Sequence, residues 1–360
     1  MVRLSLGAIP KSGGMMMQNI QFSSKVHLVG SIPLGSADEV FELVGKKLAG
    51  CCSRIPDGET NERSNWIGWQ LGVFEDQGAF IKRKAKEREY QLHPPYTFAP
   101  GCSAKDLYFS DLGFAREAIT SFSRFSQQKS KGVLPKNAKF MVAIPTPFAP
   151  VYSFVCYDDQ AAVLPVYEAA ILRELVEITK MIPHESLVIQ WDVATEMSIF
   201  EKVYDVRIES EWEFLMRLLV SLGDKVPADV ELGYHLCYGS MNSKHWKEPE
   251  TLGLCVDVSN VLVNKVSRLI NFIHMPVPVD RTDTRYYNPL RKLTVSNETQ
   301  IILGLVHDGQ TDEKNINRIN IAQKFLPEFG IATECGLGRR EAHTIPDLLA
   351  LHNRLAKYID

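Results

Sequence analysis

His235 and Cys237 stand two residues apart in Glu231-Leu-Gly-Tyr-His-Leu-Cys-Tyr238, an apolar run that breaks at Gly239. In a β-strand, residues i and i+2 face the same way. An imidazole and a thiolate on one face, at the end of a strand, make half of a zinc site. A second half lies about a hundred residues on, in Gly330-Ile-Ala-Thr-Glu-Cys-Gly-Leu-Gly338, where Cys335 again sits where an apolar run meets glycine. Taken singly, a cysteine is more often a small buried hydrophobe, and His-x-Cys also arises by chance. The metal reading gains its weight from the elements that would carry these residues.

Apolar runs at 26–30, 51–55, 138–144, 186–191, 231–235, 271–275, 300–306 and 331–333 read as short strands. They are apolar throughout rather than alternating, as parallel strands covered by helices are. Helical patterns follow most of them, at 64–73, 114–126, 161–181, 256–269, 311–325 and 341–358. Two capping boxes, Ser36-Ala-Asp-Glu39 and Ser210-Glu-Trp-Glu213, open further helices reaching 48 and 222. The count and length fit an α/β chain folded as a single (β/α)8 TIM barrel. A doubly wound sheet is the alternative, but no Gly-x-Gly-x-x-Gly follows the first strand and no Walker A lysine motif occurs. Residues 78–112, which include His93-Pro-Pro-Tyr96, fit no regular pattern and read as an insertion. Residues 1–20 read as a loose arm without a secretory leader, and 21–360 as the barrel.

A barrel builds its site at the C-terminal ends of its strands. The polar residues there are Ser31, the Asp57-Gly-Glu59 loop, Thr146, Asp192, His235 with Cys237, His307-Asp308 and Cys335. Each has an ordinary reading as a turn or cap residue. Together they would share one rim.

The 360 residues carry a net charge of −3 and are 45% hydrophobic, which leaves no footprint for nucleic acid or an anionic membrane. The basic run at 81–89 is mixed with acids and reads as a solvated helix face. Seven scattered cysteines, an odd number, suit a reducing, cytoplasmic setting rather than a disulfide framework. No apolar run reaches the ~18 residues of a membrane helix.

Gly30-Ser-Ile-Pro33, the Asp57-Gly-Glu59 loop, Ile189-Gln-Trp-Asp192, His235-Leu-Cys237 and Glu334-Cys-Gly-Leu337 occur in this order over about residues 26–340. They resemble the C-terminal catalytic barrel of cobalamin-independent methionine synthase, in the superfamily that also holds uroporphyrinogen decarboxylase. The resemblance implies a Zn²⁺ held by His235, Cys237, Cys335 and a glutamate of the sixth strand. It implies that a small thiol such as homocysteine binds there as zinc-bound thiolate and is alkylated. Coordination to Zn²⁺ deprotonates a thiol at neutral pH, and the thiolate is the nucleophile. Two protein thiolates lower the net charge on the ion, so the bound sulfur keeps electron density for attack. The resemblance further implies that Ser31, Glu59 and Asp192 grip the amino-acid end of the thiol. A histidine after the seventh strand would act as an acid, with His307 the nearby candidate beside Asp192.

The sequence departs from that pattern. Pro276 takes the place of the sixth-strand glutamate, and Asp192-Val-Ala replaces Asp-Glu-Pro. His274, two residues before Pro276, would face the same way. It reads either as the fourth ligand of a Cys₂His₂ set or as a core histidine. The family's N-terminal folate-binding half has no counterpart in this sequence, so a standard folate-dependent synthase is not expected. The leading expectation is a zinc-dependent methyl or alkyl transferase acting on a small thiol with an alkyl donor. One alternative is a metal-free, decarboxylase-like barrel holding a carboxylated molecule through Arg54, Arg63, Arg281, Arg285, Arg339 or Arg340. The other is an inactive ligand-binding barrel.

Overall fold

The computed structural model describes residues 24–83, 95–204, 206, 208–240 and 244–359. The arm at 1–20, and His93 within the expected insertion, lie outside these residues. The strands are β1 (Arg54–Pro56), β2 (Phe80–Lys82), β3 (Tyr96–Phe98), β4 (Lys139–Pro145), β5 (Leu187–Val193), β6 (Glu231–Leu236), β7 (Phe272–Pro276), β8 (Gln300–Gly304) and β9 (Gly330–Ile331). Seven of them form one curled sheet in the order β1-β4-β5-β6-β7-β8-β9. Every pairing in that sheet is parallel. The other two, β2 and β3, pair antiparallel inside the region expected to be an insertion.

The expected first strand, 26–30, is instead an extended segment with a single bridge from Val26 to Ile331. It touches both edges of the sheet. His27 N–H donates to the Ile331 carbonyl at 2.9 Å, and Val26 N–H donates to the Cys51 carbonyl, just before β1, at 2.8 Å.

Parallel strands need both faces covered. All seven residues of β5 are buried accordingly. Val188, Met141, Phe272, Ile302, Val29 and Ala332 cluster on the concave side. Ile189, Trp191 and Val193 join the larger core under the helices. Gly233 leaves room for the Phe272 ring, which would lie 2.0 Å from a Cβ there. At the N-terminal end of the strands, Arg54 Nε donates to Glu231 and a terminal nitrogen to Gln300 Oε1, each at 2.8 Å.

Helices over Ala37–Leu48, Phe114–Ser130, Gln160–Met181, Glu211–Asp224, Gly253–Lys265, Asp312–Gln323 and Ile345–Leu355 fall close to expectation. Ser36 accepts from the Glu39 N–H at 3.3 Å, as its box requires. The second box does not form: Ser210 sits at φ 52 and its side chain caps nothing. A capping serine needs extended backbone, and Ser210 is left-handed. The helix expected over 64–73 is broken into 3-10 turns at Asn61–Asn65 and Gly68–Gln70 and a short helix at Leu71–Glu75, because Trp66 takes φ 52 between them. Short helices at Phe148–Phe154 and Thr195–Phe200, which the periodicity did not reveal, follow β4 and β5. Among the described residues no helix is long and apolar enough to cross a membrane.

Candidate metal centre and its cavity

Strand register lines up one row of side chains. Asp192 on β5 pairs with His235 on β6, and His235 pairs with His274 on β7. Cys237 follows just past β6, tied back by its N–H to the Val193 carbonyl at 3.0 Å. Cys335 arrives on the loop after β9. The result is a group in which the ligand atoms of His235, Cys237 and Cys335 all lie within 4.8 Å of one another. The two Sγ atoms are 3.5 Å apart. Two Zn–S bonds of ~2.3 Å at a tetrahedral angle would set them about 3.8 Å apart, and thiolates with imidazole are zinc's preferred donors. The residues fit the ion.

The Cys335 thiol is held well below the usual thiol range, first by its hydrogen bond with Cys237 and then, against burial, by the neighbouring His235. Cys237 is pushed up by the same hydrogen bond and by burial. A buried cluster poised to lose a first proton from Cys335 is suited to a cation. His274 stands behind His235 rather than in the group, with its Nδ1 2.7 Å from His235 Nδ1. Burial, then His235 and His27, hold its imidazole well below its usual range and therefore neutral.

Six of the expected residues, Ser31, Glu59, Asp192, His235, Cys237 and Cys335, line one cavity of about 200 Å³. The loop after β1 presents Glu59. Asp57 accepts from the Glu59 N–H at 2.9 Å and from Arg63 at 2.8 Å. Glu59 itself takes φ 45, with Gly58 at φ 82 before it. Left-handed backbone at a non-glycine residue is strained and persists only where its surroundings impose it. Gly30 leaves room opposite, since a Cβ there would lie 2.9 Å from Glu59 Oε1 and would push the carboxylate aside. The Glu59 carboxyl is pushed well above the usual range by burial, then by the Asp192 and Asp57 carboxylates.

Asp192 rises to about 6 through burial, against which the neighbouring His235 and a hydrogen bond from Gln190 pull down. Gln190 is fully used. Its amide N–H groups go to the Val29 carbonyl at 2.6 Å and to Asp192 Oδ1 at 2.9 Å, while its carbonyl accepts from His27 Nε2 at 2.9 Å. Ser31 Oγ accepts from the Gly338 N–H at 3.2 Å. That leaves the hydroxyl proton to donate.

His307 does not line the cavity. Its Nε2–H donates to the Val277 carbonyl at 2.9 Å, and its Nδ1 lies 3.6 Å from Glu334 Oε2. Burial brings His307 down to about 3 and pushes Glu334 up to about 9, so both are neutral near pH 7. Thr146, at the end of β4, donates to Glu196, and both are fully buried. Of the six arginines considered as rim residues, Arg339 alone lines the cavity. Arg54 sits at the opposite end of the strands, and Arg63 and Arg340 are paired with Asp57 and Asp308.

The cavity also has aromatic walls that the sequence did not disclose: Trp66, Tyr152, Phe154, Tyr204 and Trp246. They sit on irregular connections and on the short helix Phe148–Phe154. Pro145-Thr-Pro147 was the only local hint, as a stop to β4.

A curled parallel sheet with its polar row at the strand ends defines an α/β fold of the barrel type. Among solved structures, this fold is similar to a putative vitamin-B12-independent methionine synthase from Listeria monocytogenes, at TM-score 0.56 and 16% identity over 94% of this chain and 98% of that one. It is likewise similar to a B12-independent methionine synthase from Shewanella sp. W3-18-1 in complex with selenomethionine, at TM-score 0.57 and 15% identity over 93% and 97%. No family model matches the chain, and no curated protein sequence matches it.

Proposed function

We propose that this chain is a methyl or alkyl transferase that acts on a small thiol, with Zn²⁺ held by His235, Cys237 and Cys335. The observation that carries the reading is the meeting of these three donors, within 4.8 Å, in the same cavity as Ser31, Glu59 and Asp192. The likeness in fold to B12-independent methionine synthases supports it. On this reading residues 26–30 complete the barrel as its eighth strand, and 21–360 form one catalytic unit. Seven free cysteines suit a reducing compartment.

When bound, the ion supplies one thing: it keeps the substrate thiol deprotonated at neutral pH. The protein's own groups do the rest. Ser31 donates its hydroxyl proton to the substrate carboxylate. Glu59 and Asp192 receive the ammonium group, whose positive charge favours their ionised form against the burial that opposes it. Gln190, braced by His27, fixes the Asp192 carboxyl. His274 sets the ring angle of His235 and stays neutral. The apolar walls keep water from the sulfur. His307, aimed at a backbone carbonyl, is a positioning residue for the β8 loop in this reading. The decarboxylase-like alternative has little support, because Arg339 is the single arginine among the described lining residues.

The test is metal analysis of the purified protein, followed by a thermal-shift titration with homocysteine before and after chelation. The reading requires about one zinc per chain and a homocysteine shift that disappears with the metal. Protein that binds homocysteine equally well without metal would end it.

A further inference from the structure

We infer that the alkyl donor is a small methylated onium compound, a sulfonium or quaternary ammonium ion, seated against the aromatic walls. This deepens the proposed function and rests on it.

The first argument is the wall itself. Trp66, Tyr152, Phe154, Tyr204 and Trp246 face the cavity that also holds the thiols. Tyr152 and Tyr204 form a tilted pair, with centroids 6.4 Å apart at 46°. Trp246 packs over Gly239, where a Cβ would come within 2.1 Å of its ring, so the backbone turn after β6 makes room for that indole. Aromatic faces attract a methylated cation through their quadrupoles.

Charge points the same way. Glu59, Asp192 and two thiols share the cavity, and Arg339 is the only lysine or arginine among its described lining residues. That guanidinium is engaged with the Ser240 hydroxyl. A donor carrying several carboxylates would find one basic partner here, whereas a cation meets no other lysine or arginine among the described lining residues.

Size is the third argument. A cavity of about 200 Å³ falls below the ~300–1,000 Å³ of sites that take drug-sized ligands. It suits an amino-acid thiol plus a donor of a few heavy atoms.

Reaction balance is the fourth. The thiolate sulfur attacks the methyl carbon, an S–CH₃ bond forms, and the onium S–CH₃ or N–CH₃ bond breaks. The bonding pair stays on the departing atom, which leaves as a neutral sulfide or tertiary amine and needs no proton. His307, the expected acid, is out of the cavity. The reaction joins an anion to a cation and disperses both charges, so a water-poor, weakly polar site favours it.

The experiment compares choline with its uncharged isostere 3,3-dimethylbutan-1-ol, by calorimetry on the metal-loaded protein, with and without homocysteine. Choline should bind at least about 10-fold more tightly. Tyr152→Leu and Tyr204→Leu should erase that preference yet keep zinc and the homocysteine thermal shift. Equal binding of the two probes, no binding of either, or tight binding of a methylated pteridine in place of choline overturns the inference. Loss of zinc dependence for homocysteine, with the choline preference intact, would instead sink the thiol-transferase reading alone.

Discussion

His235 and His274 meet nitrogen to nitrogen across β6 and β7, Nδ1 to Nδ1 at 2.7 Å. One ring must donate and the other accept, so each fixes the other's tautomer. His235 is thereby turned with its other nitrogen available to the cysteines. An imidazole ligand held from behind in this way is a better ligand than a free one.

His274→Ala should therefore weaken zinc binding by roughly 10–100-fold, the usual cost of losing such a support. Competition with a chromophoric chelator measures it. Affinity equal to that of the unchanged protein would show that the ring behind His235 is a core filler only.

Cys237→Ser and Cys335→Ser should each strip the metal outright, because a hydroxyl does not replace a thiolate donor. Cys102→Ser, away from the cavity, should keep it. Elemental analysis of the three proteins decides the ligand set, and full occupancy in both of the first two would exclude it.

Gly336→Ala tests the amino-acid grip. A Cβ at 336 would lie 2.4 Å from Ser31 Oγ, and Leu337 N–H holds the Ser31 carbonyl at 2.7 Å, so the serine has little room to yield. Homocysteine should bind at least ~10-fold more weakly, in line with the loss of one hydrogen bond to a charged group. Zinc content should not change. An unaltered dissociation constant would remove Ser31 from the site.

Glu196 offers a pH signature independent of metal. Burial raises its carboxyl to about 7, against the pull of the Thr146 hydroxyl and of a backbone hydrogen bond. A carboxyl raised on folding supports the fold below its unfolded pKa, and that support is lost as pH climbs through the folded pKa. The native protein should thus lose stability relative to Glu196→Gln between about pH 4.5 and 7, by an amount of order 3 kcal/mol at full ionisation. Urea denaturation of both proteins at pH 5 and pH 8 reads the difference. A gap that stays constant with pH counts against a protonated Glu196.

Much of this geometry is legible in the chain because parallel strands announce themselves. Their apolar runs end abruptly, and the residue just past each end belongs to the rim, which is how His235, Cys237 and Cys335 can be grouped across a hundred residues or so. The period-2 rule likewise puts His274 on the same face as the ligands. It does not say which ring nitrogen meets which neighbour, and that detail places His274 behind His235. The segment at 26–30 reads as a strand because its apolar run is strand-like, yet it makes only one bridge. The aromatic walls escape sequence reasoning for another reason. Tyr204, Trp246 and Trp66 sit on irregular backbone, and which connection folds over the mouth depends on long-range packing. The Ser210 box fails because a local cap signal does not specify the backbone angle on which the cap depends.

Cys237 and Cys335 are separated by 98 positions. Between them run β7, β8 and β9 with their helices. An ion joining the two thiolates closes that whole span, and an unfolded chain would bear the entropy of such a loop unaided. Ion capture should accordingly come late, once these strands have docked, and the moment of capture would clock the assembly of the second half of the sheet.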